Sequence, residues 1–289
     1  MLRSQVQLLF GGEWLDCFRT SELGTKSDQN ALRNLEAWAI LLGMPTALPR
    51  ARRSKGWFYL GMALTTAATA IAGFAPALLD PAGRKAPLTW AVAAHGALFG
   101  AWLVLFIAQT TFVRTGQLAV HRRIGYVAAV VAVLMVVTAY PTTIAMARRG
   151  FDLSGDLSNS PGGAREQLVF QLGDLVSFTL LVGAAVWQRQ RPAIHKRLMV
   201  LATVGGLMPA ALAHFIGHSP ALRHIEAPII LIPLTILYFA TAIHDRWSQG
   251  RMHPVSLWVA VGLLVWANVR AALIGPSTAW REFTDWLIR

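Results

Sequence analysis

Between residues 57 and 275 the chain alternates long apolar runs with short polar connections. The runs fall at Trp57–Leu79, Pro87–Val113, Ile124–Ala147, Gln167–Gln188, Leu198–Ser219, Ala227–Ile243 and Ser256–Gly275. A bilayer core about 30 Å thick is crossed by about 20 residues of a helix that rises about 1.5 Å per residue. The pattern therefore predicts an all-α fold, a polytopic transmembrane helical bundle of about seven spans occupying residues 51–289. Residues 1–50 contain no run of that length. Their one apolar-periodic piece, Ala31–Gly43, suits a helix lying along the membrane surface, and the order of features that marks a cleavable signal is absent. Two readings of this segment stand side by side: a cytoplasmic extension, disordered or interfacial, and an over-extended reading frame that precedes a natural start at Met44.

Composition points the same way. Hydrophobic residues make up 55%, charged residues 14%, and the mean hydropathy is +0.47; soluble domains carry about 25% charged residues. The net charge of +12 does not signal nucleic acid, because the basic residues sit at span ends, where they set topology. The lipid bilayer is the expected partner; membrane-protein partners and self-association are left open. Cys17 is the only cysteine, which excludes an intrachain disulfide and thiolate metal or iron–sulfur sites. Tryptophans such as Trp57, Trp90, Trp187, Trp247, Trp258 and Trp280 fall at or near span ends, as an interfacial aromatic belt requires. With the amino terminus inside, thirteen cations between Arg50 and Arg251 fall in inner segments and eight in outer ones, while seven acids fall outside and Asp245 inside. The positive-inside rule then gives a cytoplasmic amino terminus and an external carboxyl terminus.

An internal repeat locates the candidate chemistry. His121-Arg122-Arg123-Ile124 at the start of span three matches His195-Lys196-Arg197-Leu198 at the start of span five, and His95, Phe99 and Gln109 of span two align with Asp174, Phe178 and Gln188 of span four. Spans two to three and four to five read as two copies of one hairpin, forming a four-helix core with spans one, six and seven around it. In an up-down-up-down bundle span two lies diagonal to span four, and span three to span five. His95 then faces Asp174 about 10–12 Å below the outer surface, and His121 faces His195 at the inner one.

An ionisable group inside the membrane costs about 2.5–3.5 kcal/mol on insertion scales, which marks it as a functional candidate. On the outer side His95, Asp174, His214 and His218 offer three imidazoles and a carboxylate, a donor set that suits a divalent metal ion. The same residues also serve a proton or substrate path, or a plain helix-to-helix hydrogen bond. On the inner side His121 and His195 supply the two opposed imidazoles that b-type haem takes in a bundle. A histidine followed by two cations at the start of a span is equally an anchor to phosphate head groups.

The motifs His95-Gly96 with Trp102 and Gln109, His121-Arg122-Arg123-Ile124-Gly125, Asp174, His195-Lys196-Arg197-Leu198-Met199, and Gly250-Arg251-Met252-His253-Pro254 with Trp280 together resemble an uncharacterised family of bacterial multi-span inner-membrane proteins. The resemblance covers about Arg52–Leu287 and implies an inner-membrane location but no activity. His214 and His218 have no place in that pattern, which counts against zinc. His-Lys-Arg-Leu-Met alone is similar to small bacterial membrane proteins linked to haem–copper oxidase assembly, and His-Arg-Arg-Ile-Gly to other multi-span proteins. No phosphate-cradling loop, Gly-x-Ser-x-Gly elbow, His-Glu-x-x-His or Cys-x-x-Cys occurs, which counts against a nucleotide motor, a serine hydrolase and a c-type haem attachment. Three functions remain: a membrane protein binding haem b or another redox cofactor at His121 and His195; a proton-coupled transporter or metal-dependent protein using His95 and Asp174; and a scaffold or assembly factor without a small-molecule site.

Overall fold

The computed structural model describes residues 57–150, 152–155, 163–219, 222 and 231–289. The expectations for residues 1–50 lie outside that range. All regular structure among the described residues is helical: α1 Trp57–Leu79, α2 Trp90–Arg114, α3 Leu118–Arg149, α4 Gly163–Trp187, α5 Pro192–His218, α6 Leu231–Gln249, α7 Pro254–Val269 and α8 Thr278–Leu287. A π-helical turn, Arg270–Ile274, continues α7. Six of these helices are long and apolar enough to cross a bilayer: α1, α2, α3, α4, α5, and α7 with its π turn. The chain is a multi-pass integral membrane protein. The remaining expected span corresponds to α6, which runs past its apolar part through His244-Asp245-Arg246 to Gln249, while the apolar residues 227–230 expected to begin it lie outside the described range.

The helix ends follow local chemistry. Thr89 caps α2 by accepting from the Val92 amide, Ser277 caps α8 through the Trp280 amide, and His253 accepts from the Val255 amide ahead of Pro254 at the start of α7. α3 stops at Gly150, whose φ of 87° closes the helix in the left-handed region.

The surface is apolar where a soluble protein would be polar. On α3, Tyr126, Val130, Val133, Val137 and Tyr140 are all exposed. Steps of four and three keep them on one face, which lipid covers. Trp57, Trp90, Trp187 and Trp247 are exposed near helix ends, as the aromatic belt demands.

Packing centres on α5. In its apolar stretch 56% of residues are buried, against 17% for α2 and 22% for α3. Leu201, Val204, Met208 and Ala211 of α5 are sealed from solvent. Both expected diagonals of the duplicated hairpins meet: the Trp102 ring of α2 stands edge-on to Phe178 of α4 with centroids 5.2 Å apart, and His121 of α3 meets His195 of α5. The expected place of α1 needs correction. It packs on both α2 and α5 and closes a ring of five helices, with α6 and α7 on the outer side of α5. The reason is the small-residue face of α1, where Ala63, Ala67, Ala70, Gly73 and Ala77 are buried and let two backbones approach closely.

Gly73 shows how close that approach is. A Cβ there would strike the Ala211 carbonyl oxygen of α5, whereas one at Gly61 would meet nothing. Gly73→Leu should therefore destabilise the bundle by about 1–3 kcal/mol or more through overpacking. Thermal unfolding in detergent checks this: the transition of Gly73→Leu falls, and that of Gly61→Leu holds.

Candidate functional site

Helix α5 begins at Pro192 immediately after the short turn that follows α4, so His195 sits beside the open carboxyl-terminal end of α4. The last four carbonyls of a helix have no partner within it. His195 Nδ1 donates to one of them, Ala185 O, at 2.8 Å. A carbonyl only accepts, so the neutral ring carries its proton on Nδ1 and leaves the Nε2 lone pair free. His121, four residues into α3, presents its ring to His195 with centroids 6.3 Å apart and planes at 79°. Its Nδ1 is buried with no hydrogen-bond partner. Gln109 of α2 reaches the same corner: its amide nitrogen approaches Gly125, one turn along α3 from His121, and both its Nε2 and Oε1 are buried and unpartnered. Two imidazoles and a carboxamide from three helices thus converge at the end of the bundle where α3 and α5 begin.

Beside them lies a finished ion pair. Arg197 of α5 grips Asp245 of α6 with two hydrogen bonds, Nε to Oδ2 at 2.8 Å and Nη2 to Oδ1 at 2.6 Å. Ser256 Oγ of α7 also donates to Oδ2, and Gln249 Nε2 donates to Oδ1 at 3.1 Å. Arg197 and Asp245 are almost fully buried. Four polar side chains from three helices satisfy one another, and the network ties α6 and α7 to α5. His244, directly before Asp245 on α6, stacks on Phe58 of α1 at a centroid distance of 4.0 Å.

The outer-side candidates go to separate partners. Asp174 of α4 bonds Arg270 at the start of the π turn, Nη1 to Oδ1 at 2.7 Å. His95 of α2 bonds Thr138 Oγ1 of α3 at 3.3 Å. His214 of α5 stands against Phe74 and lies 3.5 Å from both Ser154 Oγ and Asp152 Oδ2 in the connection after α3. His218 Nδ1 turns back on its own helix to the His214 carbonyl at 2.8 Å. Among the described residues no group of three or more His, Cys, Asp or Glu is gathered as a metal ion would need. The expected centre of His95, Asp174, His214 and His218 is not assembled, because Arg270 and Thr138 occupy the groups that would have built it.

Arg270 is the functional candidate that the repeat-based reading underweighted. Its signal was present, since Arg270 is the one charged residue in the run Ser256–Gly275 and Asp174 the one in Gln167–Gln188. Two lone opposite charges in apolar spans are each other's natural partner. No protein-family model, curated protein or solved structure matches this chain. What the site does must therefore be argued from its own chemistry.

Removing one member of the Arg197–Asp245 pair leaves the other charged and buried. Asp245→Asn or Arg197→Met should cost about 3–5 kcal/mol, and the double change Arg197→Met with Asp245→Leu should recover much of it. Detergent thermal denaturation of the three variants reads this directly as two low transitions and one restored.

Proposed function

We propose that this is a bacterial inner-membrane protein that binds haem b between His121 and His195 and carries electrons one at a time, with its amino terminus in the cytoplasm. The 6.3 Å separation of the two rings carries the reading. Imidazoles on opposite sides of one metal, at about 2 Å from metal to nitrogen, place their ring centroids roughly 6 Å apart. Ligand number supports the same choice. Zinc takes four protein or water ligands and these residues supply two imidazoles, the number that b-type haem would take from the protein.

The surroundings fit. The hydrogen bond from His195 to the Ala185 carbonyl is the outer-shell contact that fixes a ligating ring and raises its basicity. Arg122, Arg123 and Lys196 adjoin the two histidines in sequence and are exposed, where they can pair with propionate groups. When bound, the haem would supply one-electron chemistry. His121 and His195 would hold the iron, the Ala185 carbonyl fixes the His195 ring, and Gln109 would bond polar groups at the same corner. The local similarity of His195–Met199 to proteins linked to haem–copper oxidase assembly is consistent with a haem-handling membrane protein.

Purified full-length protein from haem-replete cells tests the proposal. The expected result is a Soret band with a reducible b-type spectrum at about one haem per chain, lost in His121→Ala and in His195→Ala but kept in His214→Ala. A colourless wild-type protein, or a Soret band that survives both substitutions, overturns it.

A further inference from the structure

The two buried arginine–aspartate pairs differ in a way that separates structure from function. In Arg197–Asp245 the guanidinium and carboxylate meet in two parallel bonds, and Ser256 and Gln249 fill further positions on the carboxylate. In Asp174–Arg270 there is one bond, from Nη1 to Oδ1. Arg270 Nη1 also donates to the Phe170 carbonyl at 2.8 Å, and the side chain lies along the 170–174 turn of α4, where Gly173 leaves no Cβ in its way. Arg270 Nε, by contrast, has no hydrogen-bond partner although the residue is only 3% exposed. Gln171 Oε1, on the same turn and three residues before Asp174, is also buried and unpartnered. Residues three apart on a helix are neighbours, so the unused acceptor lies on the same side of α4 as Asp174, whose partner Arg270 carries the unused donor.

The depth of this group sharpens the contrast. Asp174 lies eleven residues from Gly163 and thirteen from Trp187 on α4, about 16–20 Å from either end at the helical rise. Arg270 opens the π turn that follows α7, a distortion found frequently at functional sites. Among the described residues the charged and titratable groups that act on Asp174 are Arg270 of α7 and Tyr238 of α6. Arginine keeps its proton in proteins. Asp174 is then the member of the pair that can change charge.

We propose that Asp174 is a proton-exchange site within the fourth span, served by a water molecule that accepts from Arg270 Nε–H and donates to Gln171 Oε1. Water is the ligand that offers both a donor and an acceptor, and a buried water needs two to four polar partners. The step is a plain transfer: the water gives one proton to the Asp174 carboxylate as it takes one from a further water on the side of bulk solvent, and the reverse sequence returns it. Arg270 stays charged throughout and holds the carboxyl in place. The assignment is independent of the imidazole pair, since none of its residues lies there.

Infrared difference spectroscopy on the full-length protein, acid minus neutral, tests it in H2O and D2O. A protonated-carboxyl band that shifts in D2O, moves in Asp174→Glu and is lost in Asp174→Asn is expected, and the band should persist in the double variant Arg197→Met with Asp245→Leu. Gln171→Leu leaves the ion pair intact and should slow the deuterium shift of that band. Identical bands in wild type and Asp174→Asn overturn the proposal. So does a band that fails to shift in D2O, or one that exchanges in Gln171→Leu at the wild-type rate.

Discussion

A polar group surrounded by hydrocarbon has no solvent to bond, so every charge and imidazole within these helices must find its partner on another helix or on its own backbone. That constraint arranges the molecule. Asp245 reaches Arg197 and Ser256, joining α6, α5 and α7. Asp174 reaches Arg270, joining α4 to the π turn. His95 reaches Thr138, joining α2 to α3, and His195 reaches the Ala185 carbonyl at the end of α4. Apolar packing cannot choose among helix neighbours so sharply, because lipid tails are as apolar as leucine. These pairings and the small-residue contacts between α1 and α5 do the choosing.

The membrane-length helices were legible from the length of the apolar runs alone, and the repeat foretold that span two would meet span four and that His121 would meet His195, though the first meeting is made by Trp102 and Phe178 and not by His95 and Asp174. The role of α1 was not foretold. A face of Ala63, Ala67, Ala70 and Gly73 has the same hydropathy whether it meets lipid or α5, and only close backbone approach gives it meaning. His95 and Asp174 were placed opposite each other by alignment. Alignment ignores α7, which lies outside the repeat and brings Arg270 into that space. Residue type announced that Asp174 needed a partner; it could not say which helix would supply one.

The unsatisfied atoms divide the polar interior into finished and open places. The Arg197 network is closed on itself, and such a group positions helices without offering anything to a ligand. His121 Nδ1, both ends of Gln109, Arg270 Nε and Gln171 Oε1 remain unpartnered while buried. An orphaned polar group in a low-dielectric interior is costly, and these orphans cluster at the His121–His195 corner and at the Asp174–Arg270 pair. Electron carriage at the first and proton exchange at the second are the roles proposed for these two places.

The central claim is the imidazole axis, and electron paramagnetic resonance of the oxidised protein tests its geometry. The ring planes of His121 and His195 stand at 79°. Near-perpendicular axial imidazoles give a low-spin ferric signal of extreme anisotropy, and parallel ones give an ordinary rhombic signal. The account predicts the anisotropic low-spin signal. A high-spin signal from one axial ligand, or none from a haem, would contradict it.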